Sequence, residues 1–122
     1  MTYTAHVDAF ARDNLPPRAQ WPNFLFELPE LRYPERLNCA TELLDRAVER
    51  GWGERRAIVA PGGLTWTYRQ LRDEANRIAR VLVEDLGLVA GNRVLLRGPN
   101  SPMMAACWFA VMKAGGIAVG TM

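Results

Sequence analysis

The sequence is poor in the side chains that most often carry chemistry. Of 122 residues, one is histidine and two are cysteine. His6 precedes a proline-rich stretch, where a lone imidazole reads as a surface residue and not as a base or ligand. Cys39 and Cys107 lie far apart, with no CxxC and no histidine-rich neighbourhood. They read as small core residues of a reduced protein, neither a disulfide nor a metal site. With one imidazole and two distant thiols, a zinc site would need an unusual set of carboxylates. Acidic residues are missing after Asp85, beyond which Arg93, Arg97 and Lys113 are the only charges. A buried α/β segment sheds charge in this way, and that reading is preferred to an anionic ligand. The net charge of +2 is too small to point to nucleic acid. The longest apolar run, Met103 to Met112, is about half of what a membrane span requires. The opening "MTYTAHVDAFARDNLPP" lacks a basic segment followed by an apolar one, so no secretory signal is read. A cytoplasmic protein, without nucleic-acid or membrane partners, is the expectation.

Motifs of nucleotide and acyl chemistry are missing as well. There is no GxxxxGK followed by Ser or Thr, which excludes a P-loop of that pattern. The nearest approach to GxGxxG is "GWGERR", with Arg56 where the last glycine belongs. "GPNSP" places Ser101 after an apolar stretch, but it fails GxSxG because Pro102 stands where the sharp turn needs glycine. No catalytic, cofactor-binding or metal-binding residue is assigned from the residues themselves. The one weak candidate is the loop Gly98 to Ser101, together with Gly120 to Met122. In α/β sheets ligands gather beyond the carboxyl ends of strands, often at a helix N-terminus. An ordinary connecting loop is the preferred reading for Gly98 to Ser101.

What is present divides the chain in two. Residues 1–36 hold five of the eight prolines, interleaved with Trp21, Phe24, Phe26 and Tyr33. Proline removes a backbone donor and pushes its predecessor out of the helical region. The aromatic rings are too many for a free linker, so this segment reads as an extended arm packing its rings onto a body. Residues 37–122 read as a partial α/β domain. A helix is predicted after Asn38, a good N-cap, with Leu43, Leu44, Ala47 and Val48 on one face and Gly51 ending it. "AIVAPGGLTWTY" predicts two short strands around a Pro-Gly-Gly turn. Thr67 and Gln70 predict a capping box, with Trp66 and Leu71 as a hydrophobic staple. Leu71, Ala75, Ile78 and Leu82 then form one apolar stripe. Asp73 with Arg77, and Arg80 with Glu84, are spaced to pair across a turn.

The last thirty residues predict a βαβ unit. "RVLLR" reads as a buried parallel strand, Ser101 and Pro102 as N-cap and first residue of a helix, and Gly115–Gly116 as its exit. Lys113 is the only charge in that helix, which is expected to be covered nearly all round. "IAVGT" is the second strand, reached by a crossover long enough to be parallel and expected to be right-handed.

The stretch from "LTWTYRQL" to "KAGGIAVGTM" resembles the N-terminal part of AMP-forming acyl-CoA synthetases and their adenylating relatives. The resemblance rests on Thr67–Tyr68, Leu71, Ala75–Asn76–Arg77, Gly87, Gly91, Arg93–Val94, Pro99–Asn100–Ser101 and Lys113–Ala114–Gly115. Asn92 departs from the family's usual aspartate. The likeness covers about half the chain. "RYPERLNCATELLDRAVERGWGERRAIVAP" is similar to the opening of benzoate-CoA and 2-aminobenzoate-CoA ligases. The resemblance implies the front of the large α/β domain of an acyl-adenylating enzyme. It implies a full-length ligase that uses ATP, coenzyme A and Mg²⁺ to activate an aromatic carboxylate and pass it to a thiol. The family's phosphate-binding loop and catalytic lysine belong to segments that this sequence does not show, so no catalytic residue carries over. The expectation is therefore an inactive front fragment that binds none of these cofactors tightly. Its partners would be the rest of its own chain, or a second copy through exposed strand edges. A standalone interaction module and an adenylating enzyme with a carrier-protein acceptor are the alternatives.

Overall fold

The computed structural model describes residues 5–121. Its body is built from two helices packed against each other, a third helix beside them, and two small sheets. Helix α1 is a single turn, Phe10–Asp13. Helix α2 starts at residue 39 and contains two wide turns, Thr41–Asp45 and Val48–Trp52, with its helical backbone broken at Gly51, which takes φ +84° where the sequence placed the helix end. Strand β1 is Arg56–Val59 and β2 is Thr65–Thr67. Helix α3 is Tyr68–Arg80, continued by a further wide turn, Val81–Asp85. Strand β3 is Arg93–Arg97, α4 is Pro102–Lys113, and β4 is Ile117–Thr121.

The helix starts are where side-chain chemistry places them. Asn38 Oδ1 accepts from the amides of Ala40 and Thr41 at 3.0 and 3.2 Å. Thr67 Oγ1 accepts from the Gln70 amide at 3.2 Å, and Gln70 Oε1 accepts from the Thr67 amide at 2.9 Å, closing the capping box. Ser101 Oγ accepts from the Met104 amide at 3.1 Å, with Pro102 in the first turn. Helix α4 ends in a Schellman motif. The Gly116 amide reaches the Val111 carbonyl at 2.8 Å, and the Gly115 amide reaches Met112 at 3.0 Å. Gly115 takes φ +79°, the left-handed region that glycine occupies without strain.

The core lies where α3 crosses α4. Ala75, Ala106 and Ala110 are fully buried there, joined by Leu71 and Leu44. Methyl-sized side chains at the crossing let the two helix backbones approach closely, and α2 closes the cluster through Leu44. Trp66 and Ile78 pack around its rim, so the staple and the stripe on α3 both serve this core. Strands β1 and β2 pair antiparallel with an irregularity between Arg56 and Ile58. Strands β3 and β4 pair parallel, in register from Arg93↔Ile117 to Arg97↔Thr121, with α4 as the crossover.

Five expectations are corrected. Strand β3 alternates between exposed and half-buried residues, with Leu95 at 65% exposure, because its sheet is two strands wide and helix α4 packs against it. Helix α4 is buried through Pro102, Ala106, Ala110 and Val111 only, while Met103 and Trp108 are each exposed. On α2, Leu43 is exposed, since Ala40, Leu44 and Ala47 take the centre of the buried stripe and Leu43 falls at its edge. Arg77 pairs with Glu74, and Asp73 with its neighbour Arg72, so the expected Asp73–Arg77 pair is replaced by shorter-range partners. Arg80 and Glu84 do pair, at 3.6 Å. The arm's rings meet one another: Trp21 lies edge-on to Phe24, Phe24 stacks on Phe26, and Tyr33 lies edge-on to Phe26. Phe24, Phe26 and Tyr33 stay more than half exposed, because local ring contacts are available without the body.

Candidate functional site

The loop 98–101 and the end of β4 come together as the sequence suggested, beyond the carboxyl ends of the two parallel strands. Met122 lies outside the described residues. A cleft of about 340 Å³ opens between Leu96, Gly98, Met104, Trp108 and Gly120. A second hollow, of about 490 Å³, continues from it along α4 between Leu43, Ser101, Trp108 and Met112. Both are lined by apolar groups with a few neutral polar ones, and no charged side chain lines either. The Ser101 hydroxyl is engaged as the helix cap, which accounts for its position without a nucleophilic role. A nucleoside triphosphate with Mg²⁺ does not fit these hollows, since neither offers a carboxylate for the metal or a cation for the phosphates. What the arrangement offers is an apolar wall ending at a helix start whose amides are mostly engaged, since Pro102 has no N–H, Met104 donates to the Ser101 hydroxyl and Ala105 to the Ser101 carbonyl.

A different hollow, which sequence reasoning missed, is more polar. It measures about 660 Å³ and is bounded by His6, Arg36, Asn38, Cys39 and Gly115. Asn38 is central to it. While its oxygen caps the start of α2, its amide nitrogen donates to the carbonyls of Met112 and Lys113 at 3.0 and 3.3 Å. One side chain thus satisfies orphan groups at the start of one helix and the end of another. Beside it, Lys113 Nζ sits 2.8 and 2.7 Å from the two carboxylate oxygens of Asp45, both side chains about four-fifths buried. Cys39 is exposed and Cys107 half-buried, so Cys39 is not the core residue the sequence suggested. The first turn of α2 turns it outward while Ala40 faces in. His6 is half-buried against Gly91, not a plain surface residue. Among the described residues, no group of three His, Cys, Asp or Glu could hold a metal ion.

The start of the arm is tied to the turn before β3. The Asp8 amide donates to the Ala90 carbonyl at 2.9 Å. Asp8 Oδ2 accepts from Asn92 Nδ2 at 2.8 Å and from the Arg93 guanidinium. Its Oδ1 accepts from the Phe10 amide at 3.0 Å. That backbone donor, then Arg93 and Asn92, hold the Asp8 carboxyl below its ordinary range. The Arg93 guanidinium also lies 4.8 Å from the Phe10 ring centroid.

Comparison with known proteins gives this frame a lineage. The model of the AMP-binding enzyme family matches residues 44–121, well over half of the chain. The chain belongs to that family. This AMP-binding family member is 40% identical over 84 residues to an acetyl-coenzyme A synthetase of Deinococcus radiodurans. That match covers 66% of the chain and 13% of the synthetase. It is 39% identical over 83 residues to a salicyl-AMP ligase / salicyl-S-ArCP synthetase of Mycobacterium tuberculosis, covering 65% of the chain and 14% of the relative. Among solved structures, the anthranilate CoA ligase AuaEII in complex with anthranoyl-AMP superposes with a TM-score of 0.66 at 30% identity. That superposition covers 74% of the chain and 17% of the ligase. The chain therefore spans less than one fifth of each of these relatives. Its fold is that of the N-terminal part of an adenylating enzyme, with β3–α4–β4 as its parallel unit. No helix among the described residues is long and apolar enough to cross a membrane.

Proposed function

We propose that this chain forms the front of an ATP-dependent, AMP-forming aryl-CoA ligase of the cytoplasm, and that residues 1–122 alone are inactive. The observation that carries the reading is the family match over residues 44–121, joined by the likeness to an anthranilate CoA ligase. In the complete enzyme, an aromatic carboxylate attacks the α-phosphate of ATP, releasing pyrophosphate and forming an acyl-adenylate. The coenzyme A thiolate then attacks the acyl carbon, AMP leaves, and a thioester results. ATP, coenzyme A and Mg²⁺ serve the complete enzyme, while the 122 residues supply scaffold: the α3–α4 core and the apolar wall along α4. Residues 1–36 act as an arm and 37–122 as the partial α/β domain. The open edges of β3 and β4 and the exposed Trp108 side of α4 meet the rest of the enzyme or, in its absence, a second copy.

The test compares the 122-residue chain with the product of the gene read past the codon for Met122. Each is given ATP, Mg²⁺, coenzyme A and benzoate or 2-aminobenzoate, and AMP and thioester are measured. Acid-dependent AMP and aryl-CoA from the longer product alone are expected. A stop codon directly after Met122, or AMP release by the short chain itself, contradicts the proposal. The likeness to a salicyl-AMP ligase / salicyl-S-ArCP synthetase favours a second reading, in which the acceptor is the thiol of a carrier protein. Adenylate formation with no thioester to coenzyme A, but transfer to an aryl carrier protein, would select it.

A further inference from the structure

The contact between Asp8 and the turn before β3 joins residues 84 positions apart, and its chemistry is directional. Asn92 uses both ends of its amide. Its Oδ1 accepts from the Val89 amide at 3.0 Å, and its Nδ2 donates to Asp8 Oδ2 at 2.8 Å. A carboxylate at 92 could accept from Val89 but could not donate to Asp8, and it would set two negative groups against each other. Arg93 balances one carboxylate there, and its side chain is 39% exposed. Gly91 fixes the path of the arm across this turn. It takes φ +96°, and a Cβ there would lie 2.1 Å from the Asp8 carbonyl oxygen and 2.8 Å from His6 Cβ. Next to it the same segment, through Ala5 and His6, walls the polar hollow shared with Asn38, Cys39 and Gly115.

We propose that residues 5–14 form a releasable strap, fastened by an ordered pair with the carboxylate on position 8 and the amide on position 92. When the strap opens, the hollow beside Asn38 and Cys39 loses one wall, while the α3–α4 core stays closed. Two features support separate opening. At Ala90, Asn92 and Arg93 the strap is held by one backbone bond, side-chain hydrogen bonds to Asp8 and the exposed Phe10 ring against the Arg93 guanidinium. No residue of 5–14 is buried, and Val7 and Phe10 are 79% and 58% exposed. Segments with few buried apolar contacts open locally at low free energy.

The experiment is a double-mutant cycle in the complete chain, read by backbone amide hydrogen exchange at position 8. N92D is expected to lower protection there about tenfold, since it removes a donor and adds a like charge. D8N is expected to lower it a few-fold, because its single amide oxygen can accept from the Phe10 amide or from Asn92 and Arg93 but not from both sides, and the charge facing Arg93 is lost. The reversed pair, D8N with N92D, restores donor, acceptor and counter-charge, and is expected to return protection to within about twofold of wild type. Additive losses in the double variant would overturn the ordered pair. Wild-type protein gives a second measurement that needs no variant. Raising the ionic strength from about 0.05 to 0.5 M should lower protection at Asp8 several-fold and leave Ala75 in α3 unchanged. Equal change at both would overturn separate opening.

Discussion

The body and the strap of this protein are held by opposite means. Where α3 meets α4, the contact is dry and built from Ala75, Ala106, Ala110 and Leu71, with Leu44 inserted from α2. Where the strap meets the turn before β3, it is a set of directed hydrogen bonds around one carboxylate. Burial scales with area and resists small shifts of any one group. Directed bonds depend on each partner, and removing one donor leaves its acceptor short of a bond. The two regions should therefore respond differently to substitution, salt and denaturant.

The largest effect is expected in the body. Leu44→Ala removes a side chain that is 1% exposed and leaves a cavity between three helices, and should cost about 3 kcal/mol in chemical denaturation. Gly91→Ala should follow. Its methyl would collide with the Asp8 carbonyl and must adopt a left-handed backbone, for a loss of about 2 kcal/mol concentrated in strap protection. If Gly91→Ala instead destabilised the α3–α4 core as strongly as Leu44→Ala, the distinction between the regions would fail. Asn38→Ala removes the cap of α2 and the donor to the end of α4, and should cost about 1–2 kcal/mol in the same measurement. The smallest effect is expected for Glu84→Gln, on an exposed pair with Arg80 at 3.6 Å, where a change below about 0.5 kcal/mol is expected.

The parts legible in the sequence were the local ones. Thr67 with Gln70, Ser101 with Pro102, and Gly115 with Gly116 each act within a few residues, and each does what its chemistry dictates. The parallel pairing of β3 and β4 followed from the length of the crossover. The strap was not legible, because Asp8 and Arg93 are 85 positions apart and nothing in the spacing of either marks the other. The second role of Asn38, at the end of α4, was hidden for the same reason. Burial of β3 and α4 was overestimated because an apolar stretch reports what a segment would bury, while exposure depends on which neighbours are there. Leu95 and Trp108 show that difference most plainly. For the hollows beside α4, the sequence located the loop Gly98 to Ser101, and the apolar lining became apparent only when Trp108 and Leu96 were brought beside it.

The most direct test of the central distinction is native-state hydrogen exchange on the wild-type chain, with denaturant raised in small steps below the unfolding transition. The Asp8 amide, bonded to Ala90, should exchange through an opening that is insensitive to denaturant, since little surface is exposed when the strap lifts. The Ala75 amide should exchange only through an opening with a steep denaturant slope, as the whole α3–α4 core must part. If both amides follow one steep line of equal free energy, strap and body are a single cooperative unit and the account is wrong.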